Sequence, residues 1–188
     1  MSSDADIQSL IDRIKNPDDA ISGAAWQSAG PYGAAAVKPL AGLMGDGNFE
    51  LARKSKRALY LVVRHAGRPR AGEEQQAVER ELIVVVGSGP SRVRRDVLWM
   101  LSEIGSTDAV EAMAALLTDQ ELREDARCAR TGLPEPGAVT ALKAAFATAP
   151  EDFKFALAES LRQRGEKVEG YPSRKLVPTK QTSVTPRQ

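Results

Sequence analysis

Residues 92–117 read RVRRDVLWMLSEIGSTDAVEAMAALL, and residues 121–146 read ELREDARCARTGLPEPGAVTALKAAF. When the second stretch is placed under the first at an offset of 29 residues, their apolar positions coincide at helical spacing. The coincident pairs are Val93–Leu122, Val97–Ala126, Ile104–Leu133, Val110–Val139, Met113–Leu142 and Leu117–Phe146. Gly105 meets Pro134, so both copies are interrupted at the same place. Each copy therefore predicts a helix, a turn and a second helix.

The same pattern continues in both directions. It recurs from Ile21 at an offset of 72 and from Leu51 at an offset of 42, and Phe153 continues it downstream at 31. The sequence predicts four helical pairs and a final single helix over residues 18–164, after a short opening helix around 6–15. One such pair cannot bury its apolar face alone, whereas stacked pairs can.

Turn and capping signals agree with these boundaries. NPDD (16–19) and GDGN (45–48) lie between predicted elements and offer Asp or Asn as helix N-caps. Thr107-Asp108 is predicted to open the second helix of one pair, and Pro150-Glu151 to start the last helix.

The period of about 30 residues, the V-R-x-x-V-L-x-x-L-x-x-I-G run at 93–105 and the D-A-V-x-A-M-x-x-L-L run at 108–117 resemble HEAT-like repeats. The resemblance is closest to the short bacterial kind also found in phycobilin lyase subunits. It implies an all-α fold, an α-solenoid of about five repeats in a right-handed superhelical arc, with first helices convex and second helices lining a concave face. Longer HEAT repeats often carry an Asp–Arg ladder. Here Arg94 recurs as Arg123, but the first repeat has Ser22, which predicts a short, irregular arc.

The stretch LIVVVGSGPSRVRR (82–95) offers a rival interpretation, a strand leading into a phosphate-binding glycine turn. Arg92 occupies the position of the third glycine that a dinucleotide fingerprint needs. Helical spacing is kept by Val78, Leu82, Val85 and Val86. We therefore predict a helix end with Gly87 as a left-handed C-cap and Ser91 as the next N-cap. The alternative is an anion at that N-terminus, beside Arg92 and Arg94.

Composition sets the class of protein. The 188 residues are 42% hydrophobic and 27% charged but only 5% aromatic, which suits closely packed helices in one domain. The acidic N-terminus has no apolar signal region, no stretch reaches the roughly 18 apolar residues of a membrane span, and Cys128 is the only cysteine. These features predict a cytoplasmic protein. We divide it into an N-terminal capping helix (1–17), a HEAT-like repeat domain (18–168) and an extended, basic, Pro-containing tail (169–188).

Candidate catalytic groups are few. His65 is the only histidine and is expected to be partly exposed near a helix end, and Cys128 is expected at a core edge. One Cys and one His cannot build the usual zinc site. The sequence thus predicts no catalytic, cofactor-binding or metal-binding residues and no enzyme. Trp26 and Trp99 are expected to pack between adjacent repeats, with an exposed binding aromatic as the alternative.

The near-neutral total charge hides a basic middle. Residues 49–98 hold eleven Lys/Arg against six Asp/Glu, whereas 1–48 hold three against six and 99–169 hold eight against thirteen. The candidate partner-binding residues are Arg53, Lys54, Lys56, Arg57, Arg64, Arg68, Arg70, Arg92, Arg94 and Arg95. An enlarged, Arg-bearing loop is predicted at 65–72 (HAGRPRAG). The competing interpretation is a solvated face paired locally with Glu73, Glu74, Glu79 and Glu81.

Three functions follow as hypotheses. The first is a non-enzymatic protein–protein interaction scaffold that presents a concave groove and the basic patch to another protein, an acidic surface or peptide. The second is binding of nucleic acid or another anionic polymer through Arg53–Arg95; the near-zero net charge and the lack of basic residues interleaved with aromatic ones in the sequence argue against it. The third, from the resemblance alone, is an accessory subunit of a bilin lyase. No membrane partner is expected.

Overall fold

A computed structural model describes residues 3–133 and 136–173, and none of these residues lies in a β-strand. The α-helices are α1 (Asp4–Ile14), α2 (Asp19–Gln27), α3 (Val37–Met44), α4 (Phe49–Ala66), α5 (Gly72–Ser88), α6 (Ser91–Ile104), α7 (Thr107–Ala114), α8 (Arg123–Gly132), α9 (Pro136–Thr148) and α10 (Glu151–Gln163). Short 3-10 segments, Gly30–Ala36 and Ala115–Thr118, join α2 to α3 and extend α7. The predicted break at Pro134 and most of the predicted tail, residues 174–188, lie outside the described residues.

The helices form four pairs and a final single helix. The first helices contact one another in the order α2, α4, α6, α8 and α10, and the second helices in the order α3, α5, α7 and α9. Helix α1 packs against α2 at one end of the stack. Among the stacked helices these contacts run between neighbouring layers, which is the arrangement of an α-solenoid, and the predicted fold class is confirmed. The handedness of the arc stays a prediction.

The core runs continuously through the stack. The two halves of the aligned stretch are buried at equivalent positions, as in Val97 and Ala126, which are both fully inaccessible to solvent. Val139 and Phe146 are the exceptions, half-buried against the core. The apolar alignment therefore predicts the core well, because stacked repeats share one hydrophobic layer.

The N-caps predicted within residues 16–19 and 45–48 are confirmed. The Asp18 carboxylate accepts a hydrogen bond from the Ala20 amide at 2.8 Å. The Asn48 side chain accepts from the amides of Glu50 at 3.0 Å and Leu51 at 3.2 Å. These side chains satisfy amides that the first helical turn leaves without an intrahelical partner. Helices α7 and α10 begin at Thr107 and Glu151, as the sequence predicts.

The stretch 82–95 is helix, turn and helix, so the strand interpretation is wrong and the repeat interpretation is confirmed. Two details differ from expectation. Gly87 lies inside α5, and the C-cap is Gly89, whose φ of −76° is not left-handed. Ser91 is the first residue of α6, and its hydroxyl donates to Glu121 Oε2 at 2.7 Å instead of capping the helix. The apolar 83–86 run keeps α5 packed, which carries the helix through Gly87.

The extra length between the second and third repeats lengthens helices and does not enlarge a loop. Helix α4 has 18 residues and α5 has 17, against 14 in α6 and 10 in α8. The connection between α4 and α5 is only residues 67–71. Both long helices gain a packing partner in the 3-10 segment Gly30–Ala36. A Cβ on Gly30 would lie 3.1 Å from the His65 Cβ, so this close approach favours glycine.

None of the helices in the described part of the chain has the length and apolar character to cross a membrane.

Candidate functional site

Most of the ten basic residues selected from the sequence already have polar partners. Side-chain carboxylates are the partners in Arg53–Glu50, Lys54–Asp19, Lys56–Asp96, Arg68–Glu74, Arg95–Glu121 and Arg95–Asp125. Arg92 and Arg94 instead donate to the backbone carbonyls of Met44 and Val86, each at 2.6 Å. Lys54, Lys56, Arg92, Arg94 and Arg95 thus link one layer to another, whereas Arg53 and Arg68 pair within their own layer. Their role in partner binding stays a prediction.

At three successive junctions, a basic residue of one first helix pairs with an acidic residue of the next first helix. Lys56 of α4 lies 2.6 Å from Asp96 of α6. Arg95 of α6 lies 3.4 Å from Asp125 of α8, and the last pair, Arg123 of α8 with Asp152 of α10, is at 2.8 Å. The hydrogen bond from Arg123 lowers the pKa of Asp152. Exposed pairs of this kind contribute about 0–1 kcal/mol each, so they set the register of the helices more than their stability.

The ladder was only partly visible in the sequence. Arg123 takes part, as its recurrence suggested, but its counterpart Arg94 is turned inward to the end of α5. The neighbouring residue, Arg95, takes the place of Arg94 in the ladder and pairs with Asp125 of the next layer. Sequence offsets could not show this, because one residue along a helix rotates a side chain by about 100°.

Arginine and aromatic side chains meet on the outer face of α2 and α4. The guanidinium carbon of Arg57 lies 5.4 Å from the centre of the Trp26 ring. Two helical turns further along α4, Arg64 lies 5.7 Å from the centre of the Tyr60 ring. Arg57 has no carboxylate partner in the described part of the chain, and the nearest carboxylate to Arg64, Glu103, is at 3.8 Å. Both cations therefore remain available on an aromatic surface.

Tyr60 lies between two rungs that join α4 to α6. Lys56 pairs with Asp96 on one side of it, and Arg64 with Glu103 on the other. Burial raises the pKa of the Tyr60 hydroxyl, and all four charged groups act on it electrostatically. The phenol thus stays protonated at neutral pH, half-buried among charges whose positions are fixed by the rungs.

Trp99 completes this surface. Asp96, Trp99 and Glu103 share one face of α6 because they are spaced by three and four residues. The Trp99 side chain is 48% exposed, whereas its neighbours Leu98 and Met100 are fully buried. The expectation that Trp99 packs between repeats is therefore wrong. The expectation for Trp26 is confirmed, since that ring is half-buried against the core.

We call this surface the outer strip, and it consists of Trp26, Arg57, Tyr60, Arg64 and Trp99. The helical spacing of α6 did contain a signal that Trp99 is exposed, because position 99 is not on the buried face of the helix. The buried residues are Val93, Val97, Leu98, Met100, Leu101 and Ile104. The sequence could not show that α6, which carries Trp99, is joined to α4 on either side of Tyr60 by two ion pairs. Arg57, Tyr60 and Arg64 follow one another along α4, and the fold adds Trp26 and Trp99 from the neighbouring first helices.

The connection between α4 and α5 carries a second, smaller polar cluster. Arg68 lies 2.7 Å from Glu74, and His65 Nε2 lies 3.6 Å from the same carboxylate. The hydrogen bond from Arg68 lowers the pKa of Glu74, against a smaller opposing effect of burial. Arg70 is exposed with a left-handed φ of 69°. The loop is therefore tied down by Glu74, and Arg70 extends from it into solvent.

The local carboxylates expected to neutralise the basic middle do so only in part. Glu74 pairs with Arg68, and Glu81 pairs across the second helices with Lys38 at 2.9 Å. Glu79 is instead 97% buried and accepts hydrogen bonds from the Ser106 amide at 2.6 Å and the Ala109 amide at 3.2 Å. This carboxylate caps α7 from the preceding layer.

The remaining reactive groups are isolated. Cys128 is half-buried, and burial raises the pKa of its thiol. Arg127 Nη2 donates to the Cys128 sulfur at 3.2 Å. Across residues 3–133 and 136–173 there is no group of three or more His, Cys, Asp or Glu side chains placed to hold a metal ion.

Comparison with known proteins adds little. No family model matches the chain, and neither does any curated protein. Two engineered proteins of known crystal structure are similar over 84% of this chain, with 20% and 15% identity, TM-scores of 0.41 and 0.44, and 78% and 80% of their own length covered. A designed armadillo repeat protein in complex with a (KR)4 peptide is 13% identical over 85% of this chain and 87% of its own, with a TM-score of 0.41. None of these supports the phycobilin-lyase type, and at these values none indicates what this chain binds.

Proposed function

We propose that this protein is a non-enzymatic interaction scaffold whose HEAT-like repeats present the outer strip to another protein. The observation that supports this most directly is Trp99, a large aromatic residue left 48% exposed on α6, between the two residues, Asp96 and Glu103, that pair with α4. Trp, Tyr and Arg are the residue types that dominate the binding energy of protein interfaces. Burying one such exposed ring against a partner removes a large apolar area from water.

The strip is also rigid, which favours binding. The aromatic residues of the strip lie on three consecutive first helices, α2, α4 and α6. The ion pairs Lys56–Asp96 and Arg64–Glu103, on either side of Tyr60, join α4 to α6. A surface held in one arrangement loses little conformational entropy when it binds. The partner surface we propose is acidic, because within the described residues Arg57 has no carboxylate partner and Arg64 has only the long pair with Glu103 at 3.8 Å.

This proposal moves the binding face from the one expected from the sequence. The resemblance placed partners in a concave groove lined by second helices, whereas the outer strip belongs to α2, α4 and α6, all first helices. Three large apolar side chains are exposed on these first helices: Ile21, Phe49 and Trp99. Within the described part of the chain, the second helices expose only one, Val84.

Affinity capture from native cell extract with matched variants tests the proposal. Wild-type bait is compared with Trp99→Ala and with Arg57→Ala/Arg64→Ala, and bound proteins are quantified by mass spectrometry. Phe49→Ala and Arg80→Ala are the controls, because both remove exposed side chains of the same type away from the strip. A partner lost from the strip variants and retained by the controls supports the proposal. Partners that are equally retained by all the variants rule out the strip.

Binding of an anionic polymer is a second candidate, and one observation favours it. Guanidinium groups stacked beside aromatic rings are typical of surfaces that bind single-stranded nucleic acid. Titration with a single-stranded oligonucleotide at two salt concentrations tests this candidate. Phosphate contacts make the affinity fall steeply with salt. A Trp99→Ala variant with unchanged affinity would argue against base stacking on the strip.

A further inference from the structure

One arginine stands apart from the basic residues considered above. Arg130, near the end of α8, is fully buried. None of its three guanidinium nitrogens has a hydrogen-bond partner. A buried polar group normally has such a partner, and a buried charge nearly always does.

The repeat register shows how unusual the position is. Residues equivalent to Arg130 in the other layers are Ala29, Leu59, Leu101 and Leu161, all of them buried and apolar. The fourth layer thus places a charged side chain at a position that is apolar in every other layer.

The protein itself offers Arg130 little compensation. Arg130 lies in the last turn of α8, where the helix dipole favours a cation. That effect is smaller than the cost of removing a guanidinium from water. Burial accordingly lowers the pKa of the Arg130 side chain to about 10.

The carboxylates of α8 and α10 are all engaged elsewhere. On α8, Glu124 pairs with Arg127 and Asp125 with Arg95. On α10, the pairs are Glu151–Lys154, Asp152–Arg123 and Glu159–Arg162. Helix α9 contains no acidic residue. A counter-charge for Arg130 from α8 or α10 would therefore have to break an existing ion pair.

We propose that Arg130 is the anchor of an oxyanion-binding site in the last repeats, which accepts a carboxylate or phosphate group from outside the chain. The anion reaches the guanidinium when α10 separates locally from α8, and it pairs with the planar fork that Arg presents to such groups. Local opening at the end of the repeat stack mainly parts the terminal helix, α10, from α8 and α9, the two helices of the preceding layer. This site is independent of the outer strip.

The test is the thermal unfolding of the full chain in increasing sodium phosphate, with sodium chloride added to hold ionic strength constant. An anion that binds the folded protein raises the midpoint in a saturable way. We expect wild type to gain about 2–4 °C or more, and Arg130→Leu and Arg130→Met to gain none beyond the general effect of phosphate. Arg127→Leu, on the same helix, is the matched control and keeps the wild-type response. Replacing phosphate by acetate shows whether a carboxylate suffices.

Two outcomes would overturn the proposal. One is an equal response to phosphate in wild type and in both Arg130 variants, which would make the effect a general one of the salt. The other concerns Glu135, the next carboxylate along the sequence, which lies outside the described residues. If Glu135→Gln destabilises wild type but not Arg130→Leu, and the phosphate response is absent, the counter-charge is internal.

Discussion

The guanidinium of Arg57 lies over the ring of Trp26, 5.4 Å from its centre, and joins the outer faces of α4 and α2. The other tryptophan, Trp99, is 48% exposed two layers further on. The chain contains only these two tryptophans, so their fluorescence can be separated by single substitutions. In Trp26→Phe, we expect Trp99 to emit at longer wavelength and to be quenched readily by acrylamide. In Trp99→Phe, Trp26 should emit at shorter wavelength with weaker quenching. Equal quenching in the two variants would contradict the exposure of Trp99.

Adjacent residues of α6 should differ sharply in their effect on stability. Leu98 is fully buried, so Leu98→Ala should lower the free energy of unfolding by about 2–5 kcal/mol through lost burial and a cavity. Trp99→Ala, although it removes a larger side chain, should change it by less than about 1 kcal/mol, as is usual at exposed sites. Urea denaturation of both variants measures the difference. A loss at Trp99 as large as that at Leu98 would place the ring in the core.

The sequence predicted the stacking and the core because a repeat samples the same apolar face several times. Val97 and Ala126, buried at equivalent positions, illustrate this agreement. It failed where one residue of helical rotation matters, as with Trp99, and where a contact joins residues far apart in the sequence, as between Arg57 and Trp26. Arg130 was overlooked because a charged residue in a helix is normally solvated, and only the packed structure shows it in a leucine position.

Glu79 should be one of the residues on which the junction between the second and third repeats depends. Its buried carboxylate accepts from the amides of Ser106 and Ala109 and from the Ser106 hydroxyl at 2.9 Å. Glu79→Leu would leave these buried donors without an acceptor, so we expect a loss of roughly 3 kcal/mol or more. Glu79→Gln keeps an acceptor and should lose less. Glu73→Leu, on the exposed start of the same helix, is the control and should be close to neutral. Chemical denaturation of the three variants measures whether the loss of stability falls in the order Glu79→Leu, Glu79→Gln, Glu73→Leu. The comparison requires that the unfolding free energy depends on denaturant with the same slope in all three.

Substitution by alanine should have opposite effects on the stability of the protein at two glycines. Gly87 lies within α5 with open space where a Cβ would stand, so Gly87→Ala should stabilise the protein by about 0.5–1 kcal/mol. At Gly105 a Cβ would lie 2.5 Å from the Leu101 carbonyl oxygen and 2.7 Å from the Ala109 Cβ. Gly105→Ala should therefore destabilise by about 1–3 kcal/mol, because the turn between α6 and α7 must shift. If Gly87→Ala were destabilising, Gly87 would be the left-handed cap first predicted from the sequence.

Replacing Arg130 by the leucine found at equivalent positions should stabilise the protein. In chloride buffer at neutral pH, Arg130→Leu should raise the free energy of unfolding by about 1–4 kcal/mol, because it removes an unpaired buried charge. The pKa of Arg130 is lowered to about 10 in the folded state, whereas an arginine in the unfolded chain stays protonated to above about 12. Between these values the unfolded state binds more protons, so wild-type stability rises with pH relative to Arg130→Leu.

The advantage of Arg130→Leu should accordingly be constant below about pH 9 and should shrink as the pH rises through 10. Urea denaturation of wild type and variant at pH 7.5, 9 and 10.5 measures it, and comparing the two proteins at each pH cancels the titration of lysines and tyrosines that they share. Leu101→Arg, which introduces the same charge one layer earlier, should be strongly destabilising and serves as the reciprocal control. If Arg130→Leu is less stable than wild type at every pH, the guanidinium has a counter-charge in the folded protein that neutralises it without any added anion.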